Sequence, residues 1–188
     1  MTIKQELIQY YQWLRQHGLN DSHSGNASVK KGETVWITPT GACADTLTEN
    51  NLIECKLNQP PADGASLDAR LHLETYRRNP KLNAVLHSHG AYSVAMTMKG
   101  KTFVPFDFEG QFYFGSIPVV NLDYLDVIEQ SAELVAEELK TNKAAIVCGH
   151  GVYAAAENLN LAYKWTCSLE LSAKTAFIAL QAGTYPKT

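Results

Sequence analysis

The segment NAVLHSHGAYS, residues Asn83–Ser93, contains two histidines one residue apart at the end of an apolar run. Apolar residues on both faces of such a run predict a buried β-strand, here residues 83–89. Because side chains two apart in a strand point to the same face, His87 and His89 lie side by side. Two buried imidazoles need partners, which are either hydrogen bonds or a metal ion, and this pair alone leaves both interpretations open.

A second segment, AAIVCGHGVYAAA, repeats this design at residues 144–156, where His150 stands between two glycines at the junction of two short predicted strands. Glycine lets backbone or ligand approach closely. Taken singly, each histidine is more simply a hydrogen-bonded turn or core residue. Together, His87, His89 and His150 supply three ligands of an open catalytic metal site and leave a position for water or substrate. We favour the metal site, because one ion would satisfy all three rings.

The other three histidines do not match this pattern. His17 falls in the last turn of the first predicted helix, where a cation suits the helix dipole. His23 lies in a loop, and His72 lies on a predicted helix, where we expect it to be packed or hydrogen-bonded to its neighbours.

Composition indicates a soluble globular protein, with 188 residues of which 45% are hydrophobic and 19% charged. This length suits one domain, residues 1–188, with a substantial core. The net charge of −3 gives no basic surface for nucleic acid. The first 18 residues lack an uninterrupted apolar core, so we expect neither a signal peptide nor a membrane anchor. Four cysteines without C-x-x-C spacing are typical of a reduced, cytoplasmic protein.

Hydrophobic periodicity predicts an α/β fold with a sheet covered on both faces. The first helix begins at a capping box formed by Thr2 and Gln5 and stops near Gly18. The other helices are predicted at 67–78, 91–98, 126–140 and 161–181, and the strands at 27–29, 34–38, 52–57, 83–89, 103–106 and 117–120, with two more around His150.

Four blocks, HSGNASV, ITPTG, LDARLHLETYRRNPKLNAVLHSHG and GHGVYAA, fall in the order of a known family. Over about residues 3–180 the chain resembles the class II aldolase/adducin superfamily, which includes fuculose-phosphate aldolases, ribulose-phosphate 4-epimerases and methylthioribulose-phosphate dehydratases. The resemblance implies a three-layer α-β-α fold with a central, largely antiparallel sheet. It also implies a homo-oligomer, most often a tetramer, with active sites at subunit interfaces.

The resemblance further implies that His87, His89 and His150 bind a divalent metal, usually Zn²⁺, with Mn²⁺, Fe²⁺ and Co²⁺ as other candidates. Asp68 takes the place of the family's acidic residue, which is Glu in aldolases and dehydratases and transfers protons there. Epimerases carry Asp, but they add a second acid where this chain has Gln111. From the residues alone, an acid at a helix N-terminus is commonly dipole compensation. Beside a metal, it could ligate the ion or accept a proton.

In relatives that use phosphate, three short segments hold it, and the matching residues here are Ser24, Gly25, Asn26, Thr40, Gly41 and Ser66. The same residue types also serve ordinary turns. Leu67 replaces a second serine, which puts the charge of the substrate in question. Tyr113 matches a tyrosine that acts across the subunit interface in relatives, although an aromatic cluster explains it equally well. Since the sequence ends at Thr188, we expect no tail over the active site.

We therefore predict a metal-dependent lyase of aldolase type that acts on a small hydroxylated carbonyl compound or sugar phosphate. In this interpretation Asp68 moves a proton, and Tyr113 protonates the leaving aldehyde oxygen. The alternatives are a dehydratase or 4-epimerase on the same fold, or a non-catalytic scaffold like that of the adducins. The intact set of three histidines argues against the scaffold.

Overall fold

A seven-stranded sheet forms the middle layer of the computed structural model, which describes residues 1–123 and 125–186 except the side chains of Val127 and Ile128. The strand order is β3-β2-β1-β4-β7-β6-β5, and every neighbouring pair is antiparallel except β5 and β6. The predicted, largely antiparallel sheet is thus confirmed. Its strands are β1 Asn26–Lys31, β2 Thr34–Ile37, β3 Ile53–Lys56, β4 Ala84–Ser88, β5 Val119–Val120, β6 Ala144–Val147 and β7 Gly151–Ala156.

Helices cover both faces of this sheet and complete the three layers. The α-helices are α1 Ile3–Gln16, α2 Ala69–Arg78, α3 Ala91–Thr97, α4 Phe108–Phe114, α5 Val127–Glu138 and α6 Leu159–Ala182, and a short 3₁₀ turn spans Glu49–Asn51. On one face α6 contacts β4 and β7, and α1, α3 and α4 adjoin it. On the other face α2 and α5 contact each other. Within the described ranges, no helix combines the length and the apolar character needed to cross a bilayer.

Strand β4 lies at the centre of the sheet and is buried along its whole length. Leu86 joins the core cluster under α1 and α6, whereas Val85 joins the cluster under α2 and α5. Because the faces alternate along a strand, His87 continues the face of Val85 and points toward the α2 side. The sheet therefore decides which helix the histidine meets.

The first helix matches the prediction made from its cap. The Thr2 hydroxyl accepts a hydrogen bond from the Gln5 backbone N–H, and the Gln5 side chain accepts one from the Thr2 backbone N–H. Leu7 and Leu14 are fully buried against the sheet. The helix ends at Gln16, so the predicted stop near Gly18 is confirmed.

The predicted strand at residues 103–106 is wrong beyond Phe103, which forms a single bridge with Ile117. Helix α4 follows instead, and sequence patterning did not predict it. Asp107 caps this helix by accepting a hydrogen bond from the Gly110 backbone N–H at 2.8 Å. A carboxylate cap satisfies an N–H of the first turn, which stabilises the start of the helix at this position.

Candidate functional site

The three predicted histidines meet where the central strand β4 ends and its neighbour β7 begins. The Nε2 atom of His87 lies 3.0 Å from Nε2 of His150 and 2.9 Å from Nε2 of His89. The three candidate donor atoms lie within 4.8 Å of one another. The fold therefore brings together two neighbours in sequence and a third histidine that is 63 residues away from His87.

The hydrogen bond at Nδ1 determines the tautomer of His87. Nδ1 lies 3.0 Å from the carbonyl oxygen of Val152, which can only accept a hydrogen bond. The ring therefore carries its proton on Nδ1 and turns the lone pair of Nε2 toward the other two histidines. Burial lowers the pKa of His87 to about 3, and burial followed by the charge of His150 lowers the pKa of His89. Both rings are neutral near pH 7, which is the form that binds metals.

Two glycines make room for this cluster, and each has a specific reason. A Cβ atom on Gly151 would stand 2.4 Å from the carbonyl oxygen of Ser88, 2.7 Å from His89 Cδ2 and 2.9 Å from His87 Cε1. A Cβ atom on Gly25, whose φ is +67°, would stand 2.4 Å from the carbonyl oxygen of His87. Any larger residue at either position would displace a histidine backbone or ring.

Asn20 holds the backbone of both His87 and His89, a role that sequence reasoning missed. Its Oδ1 atom accepts a hydrogen bond from the His89 N–H at 2.9 Å, and its Nδ2 atom donates to the His87 carbonyl at 3.3 Å. The side chain is buried, with 7% of its surface exposed. The sequence offered no signal for this role, since an asparagine before a glycine-containing loop is ordinary turn chemistry.

Asp68 precedes α2 and lies beside the histidine cluster, with its Oδ2 atom 3.8 Å from His87 Nε2. It forms no side-chain hydrogen bond to the first turn of α2, so it does not act as a conventional cap. Instead, Oδ2 accepts hydrogen bonds from Asn26 Nδ2 at 2.7 Å and from Tyr153 Oη at 3.0 Å. Burial raises the pKa of Asp68, but interaction with His87 and these hydrogen bonds outweigh it, so the net pKa is lowered.

Tyr153 is a second residue that sequence reasoning missed. Strand pairing places it directly opposite His87, and the two rings stack with centroids 4.0 Å apart and an angle of 3° between their planes. Burial, followed by the nearby Asp68 charge, raises the pKa of Tyr153 well above 10, so its hydroxyl stays protonated. Its segment, GHGVYAA, indicated a role for the histidine, and no sequence pattern indicated a role for the tyrosine.

His72 lies outside the cluster, which agrees with its prediction as a packed, hydrogen-bonded residue. Its Nδ1 atom lies 2.7 Å from the Ser28 hydroxyl, which lies 2.7 Å from the Tyr76 hydroxyl. All three side chains are fully buried between α2 and β1. Burial lowers the pKa of His72 to about 4, and its ring is therefore neutral near pH 7.

The residues predicted to hold a phosphate fall in three segments: Ser24, Gly25 and Asn26 at the start of β1, Thr40 and Gly41 on the loop after β2, and Ser66 before α2. Asn26 pairs with His87 across β1 and β4, and Gly25 precedes it. Ser66 comes just before α2, and its hydroxyl accepts a hydrogen bond from the Asp68 backbone N–H at 3.3 Å. The loop bearing Thr40 and Gly41 joins the Ser66 loop through the bridge Pro39–Ala65. Ser24 is half-buried, and its hydroxyl accepts from the Asp21 backbone N–H.

Tyr113 is placed on α4, where its surroundings come from α6. Its ring lies 5.5 Å from the Trp165 ring, and Lys164 Nζ stands 4.2 Å above it. In a single chain it is therefore part of an aromatic and cationic cluster, and the structure does not bring it to the histidines. Beside it, Phe108 and Phe112 are 80% and 75% exposed.

The donor set fits a divalent cation. Three imidazole nitrogens converge, and the buried His87 ring keeps its outer nitrogen occupied by a backbone carbonyl, as metal-bound histidines usually do. Three protein ligands with a carboxylate beside them correspond to a catalytic rather than a closed structural site. Zn²⁺, Mn²⁺, Fe²⁺ and Co²⁺ all accept imidazole ligands, so the ligands alone do not select among these ions.

Comparison with known proteins agrees with this arrangement. The family model described as class II aldolase and adducin N-terminal domain matches residues 5–177. An L-fuculose phosphate aldolase of Methanocaldococcus jannaschii is 30% identical over 159 residues, which are 83% of this chain and 85% of that protein. The crystal structure of an L-fuculose-1-phosphate aldolase from Thermus thermophilus superposes with a TM-score of 0.89 at 31% identity, covering 99% of this chain and 98% of the other. A 3-oxo-tetronate 4-phosphate decarboxylase of Escherichia coli is 27% identical over 94% of this chain and 87% of its own length.

Proposed function

This chain belongs to the class II aldolase and adducin family, and from that premise we propose that it is a metal-dependent lyase of aldolase type acting on a small sugar phosphate. The observation that carries the proposal is the convergence of His87, His89 and His150 beside the Asp68 carboxylate. A metal-binding set with an adjacent base is what cleavage of a bond next to a carbonyl group requires. Similarity to two fuculose-phosphate aldolases over most of the chain supports the same reaction class.

In this proposal His87, His89 and His150 bind the ion through their Nε2 atoms. Bound there, a divalent cation supplies Lewis-acid stabilisation of the negative charge that develops on the substrate oxygens during cleavage. We propose Zn²⁺ as that ion, because three imidazole ligands with an open position are a common zinc donor set.

Asp68 would serve as the proton-transferring group. Both described hydrogen bonds to its carboxylate end on Oδ2, so Oδ1 is the oxygen that would take a proton from the substrate hydroxyl and return it to carbon. The lowered pKa of Asp68 keeps the carboxylate ionised near pH 7, which is the form a base requires.

The phosphate end of the substrate would lie against the three segments named above, beside the histidine cluster. Hydroxyl groups and backbone N–H groups at turns suit an anion, and we propose this role for Ser24, Gly25, Asn26, Thr40, Gly41 and Ser66. Leu67, 70% exposed next to Asp68, contributes no hydroxyl, so we expect weaker phosphate binding than in relatives with a serine there.

Assembly is part of the same proposal. We propose a cytoplasmic homo-oligomer, most simply a tetramer, in which the Tyr113 hydroxyl of one subunit donates a hydrogen bond, in the site of another, to the substrate oxygen that becomes the aldehyde, while the proton of that oxygen passes to Asp68. The nearly fully exposed rings of Phe108 and Phe112 on α4 support a contact surface there, since large apolar side chains clustered at a surface commonly mark interfaces.

A decarboxylase acting on a phosphorylated 3-oxo acid is the second candidate. The specific observation in its favour is the 27% identity to the Escherichia coli decarboxylase over 94% of this chain. Loss of carbon dioxide leaves the same kind of enolate as aldol cleavage, so the same residues would serve. A dehydratase or 4-epimerase shares that chemistry but has no further observation in its favour.

Incubation with panels of phosphorylated ketoses, free ketoses and phosphorylated 3-oxo acids tests the proposal directly. We expect release of an aldehyde and dihydroxyacetone phosphate from a phosphorylated ketose, abolished by a chelator and restored by Zn²⁺. Carbon dioxide release from the oxo acids alone would select the decarboxylase. Dehydrated or epimerised products would contradict the aldolase assignment.

A further inference from the structure

Tyr153 contacts both halves of the proposed site. Its hydroxyl donates to Asp68 Oδ2 at 3.0 Å, and its ring stacks on His87 at 4.0 Å. None of the roles assigned above, metal binding, proton transfer or phosphate binding, includes this tyrosine. A residue that touches the base and a metal-binding ring together is in a position to set their relative geometry.

The ring of Tyr153 has little freedom to move. Only 1% of its surface is exposed, and strand pairing places His87 on one side of it and Ala145 on the other. The flat face meets His87 at an angle of 3°, so the histidine cannot tilt toward β7 without a clash. The stacked pair therefore keeps His87 Nε2 aimed at His89 and His150.

The hydroxyl of Tyr153 acts on the carboxylate together with Asn26. Both groups donate to the same oxygen, Oδ2, at 3.0 and 2.7 Å. Two donors on one oxygen fix the rotation of the carboxylate, and Oδ1 accepts no hydrogen bond from the described residues. Hydrogen bonds to a charged acceptor are the stronger ones in proteins, so the loss of either would leave the group free to rotate.

We propose that Tyr153 is a positioning residue with two separable parts: its hydroxyl orients the Asp68 carboxylate for proton transfer, and its ring holds His87 in place for the metal. The inference rests on the proposed function for the first part only. It also predicts that the site accepts Asp and excludes Glu at position 68, because the extra methylene would drive the carboxylate into the two donors.

Tyr153→Phe removes the hydroxyl and keeps the ring, whereas Tyr153→Leu removes both. For Tyr153→Phe we expect kcat to fall about 10–100-fold, the equivalent of one charged hydrogen bond, with KM changed less than about threefold. Its Kd for Zn²⁺, from competition with a chromophoric chelator, should stay within about threefold of wild type. For Tyr153→Leu the Zn²⁺ affinity should fall at least about tenfold. Tyr76→Phe, which also removes a fully buried hydroxyl, is the matched control and should change neither quantity.

A double-mutant cycle separates positioning from a general loss of structure. In an Asp68→Asn background the further change Tyr153→Phe should lower kcat less than about twofold, because its target is already lost. An equal loss of kcat in both backgrounds, or wild-type kcat in Tyr153→Phe alone, would overturn the hydroxyl part. Unchanged Zn²⁺ affinity in Tyr153→Leu would overturn the ring part.

Two further measurements are independent of those kinetic results: the first needs no substrate, and the second uses no Tyr153 variant. In a crystal structure of Tyr153→Phe, the Asp68 carboxylate should leave its present rotamer, and an unchanged rotamer would contradict the proposal. Asp68→Glu should lower kcat at least about tenfold. Wild-type turnover in that variant would contradict the proposal. If the wild-type protein cleaves no sugar phosphate, the proposed function fails, while the crystal structure and the Zn²⁺ measurements still decide the role of Tyr153.

Discussion

His87 and His150 stand with their Nε2 atoms 3.0 Å apart although 63 residues separate them in the chain. The antiparallel pairing of β4 with β7 produces this contact, because the end of one strand lies beside the start of the other. Two imidazole nitrogens at that distance can share one proton or one ion, and the third ring of His89 favours the ion.

Substituting each proposed metal ligand tests that choice. We expect His87→Ala, His89→Ala and His150→Ala each to lose most of the bound divalent ion, since two ligands hold it far less well than three. Elemental analysis of purified protein should give close to one ion per chain in wild type. His17→Ala, at the C-terminal cap of α1, is the control and should retain the metal. Full metal content in all three variants would contradict the site.

Asp68→Asn separates chemistry from metal binding, because it preserves size and removes the basic lone pair. If Asp68 transfers protons, kcat should fall about 10²–10⁴-fold with metal content unchanged. Joint loss of metal and turnover, reversed by excess ion, would instead make it a ligand. Asp45→Asn, an exposed carboxylate, serves as control. Near-wild-type turnover in Asp68→Asn would remove the residue from the mechanism.

Gly151→Ala should damage the cluster without touching any proposed ligand. Its Cβ atom would meet the Ser88 carbonyl at 2.4 Å and the rings of His89 and His87 within 2.9 Å. Overpacking of this kind costs about 1–3 kcal/mol, and displaced rings should also bind metal more weakly. Urea denaturation and chelator competition measure the two effects. Gly183→Ala is the control, because a Cβ atom there meets open space. It should lower the free energy of unfolding through backbone strain and leave metal binding unchanged. Intact metal binding in Gly151→Ala would refute the prediction.

The metal-free protein should become less stable as the pH is lowered, because of His72. Burial lowers its pKa from 6.5 to about 4, so between these values the unfolded chain binds a proton that the folded chain does not. The stabilising contribution is complete above pH 6.5 and is lost as pH falls toward 4, up to about 3 kcal/mol. Free energies of unfolding at pH 7 and pH 4.5 should show a smaller decrease in His72→Gln than in wild type. If the free energy of unfolding decreases equally in His72→Gln and in wild type, His72 is not the source of the pH dependence. His17→Gln is the control for substitution of an exposed histidine.

The proposed sharing of active sites between subunits predicts complementation. Mixtures of inactive Asp68→Asn and inactive Tyr113→Phe proteins, unfolded and refolded together, should regain part of the wild-type activity through hybrid sites. Light scattering should give an oligomer at micromolar protein, and Phe112→Asp on the exposed face of α4 should dissociate it. A wild-type monomer would refute shared sites, and so would hybrids with no activity.

Local chemistry in the sequence was enough to determine much of this protein. The capping box at Thr2 and Gln5 and the apolar alternation through β4 follow from neighbouring residues, so both were predictable. The histidine set was also predictable, since the two-residue spacing of His87 and His89 places them on one strand face and a glycine-flanked His150 repeats the pattern.

Tertiary structure alone decided what surrounds those histidines. Whether Asp68 caps a helix or faces the cluster depended on the placement of α2 against β1, which brings Asn26 within 2.7 Å of it. The roles of Asn20 and Tyr153 arise from loop closure and from the register of β4 on β7, which no local pattern specifies. Helix α4, which begins at the Asp107 cap, was not predicted from the pattern of apolar residues. Periodicity reports which face of an element is apolar, whereas contacts between distant segments depend on the strand order that the whole core selects.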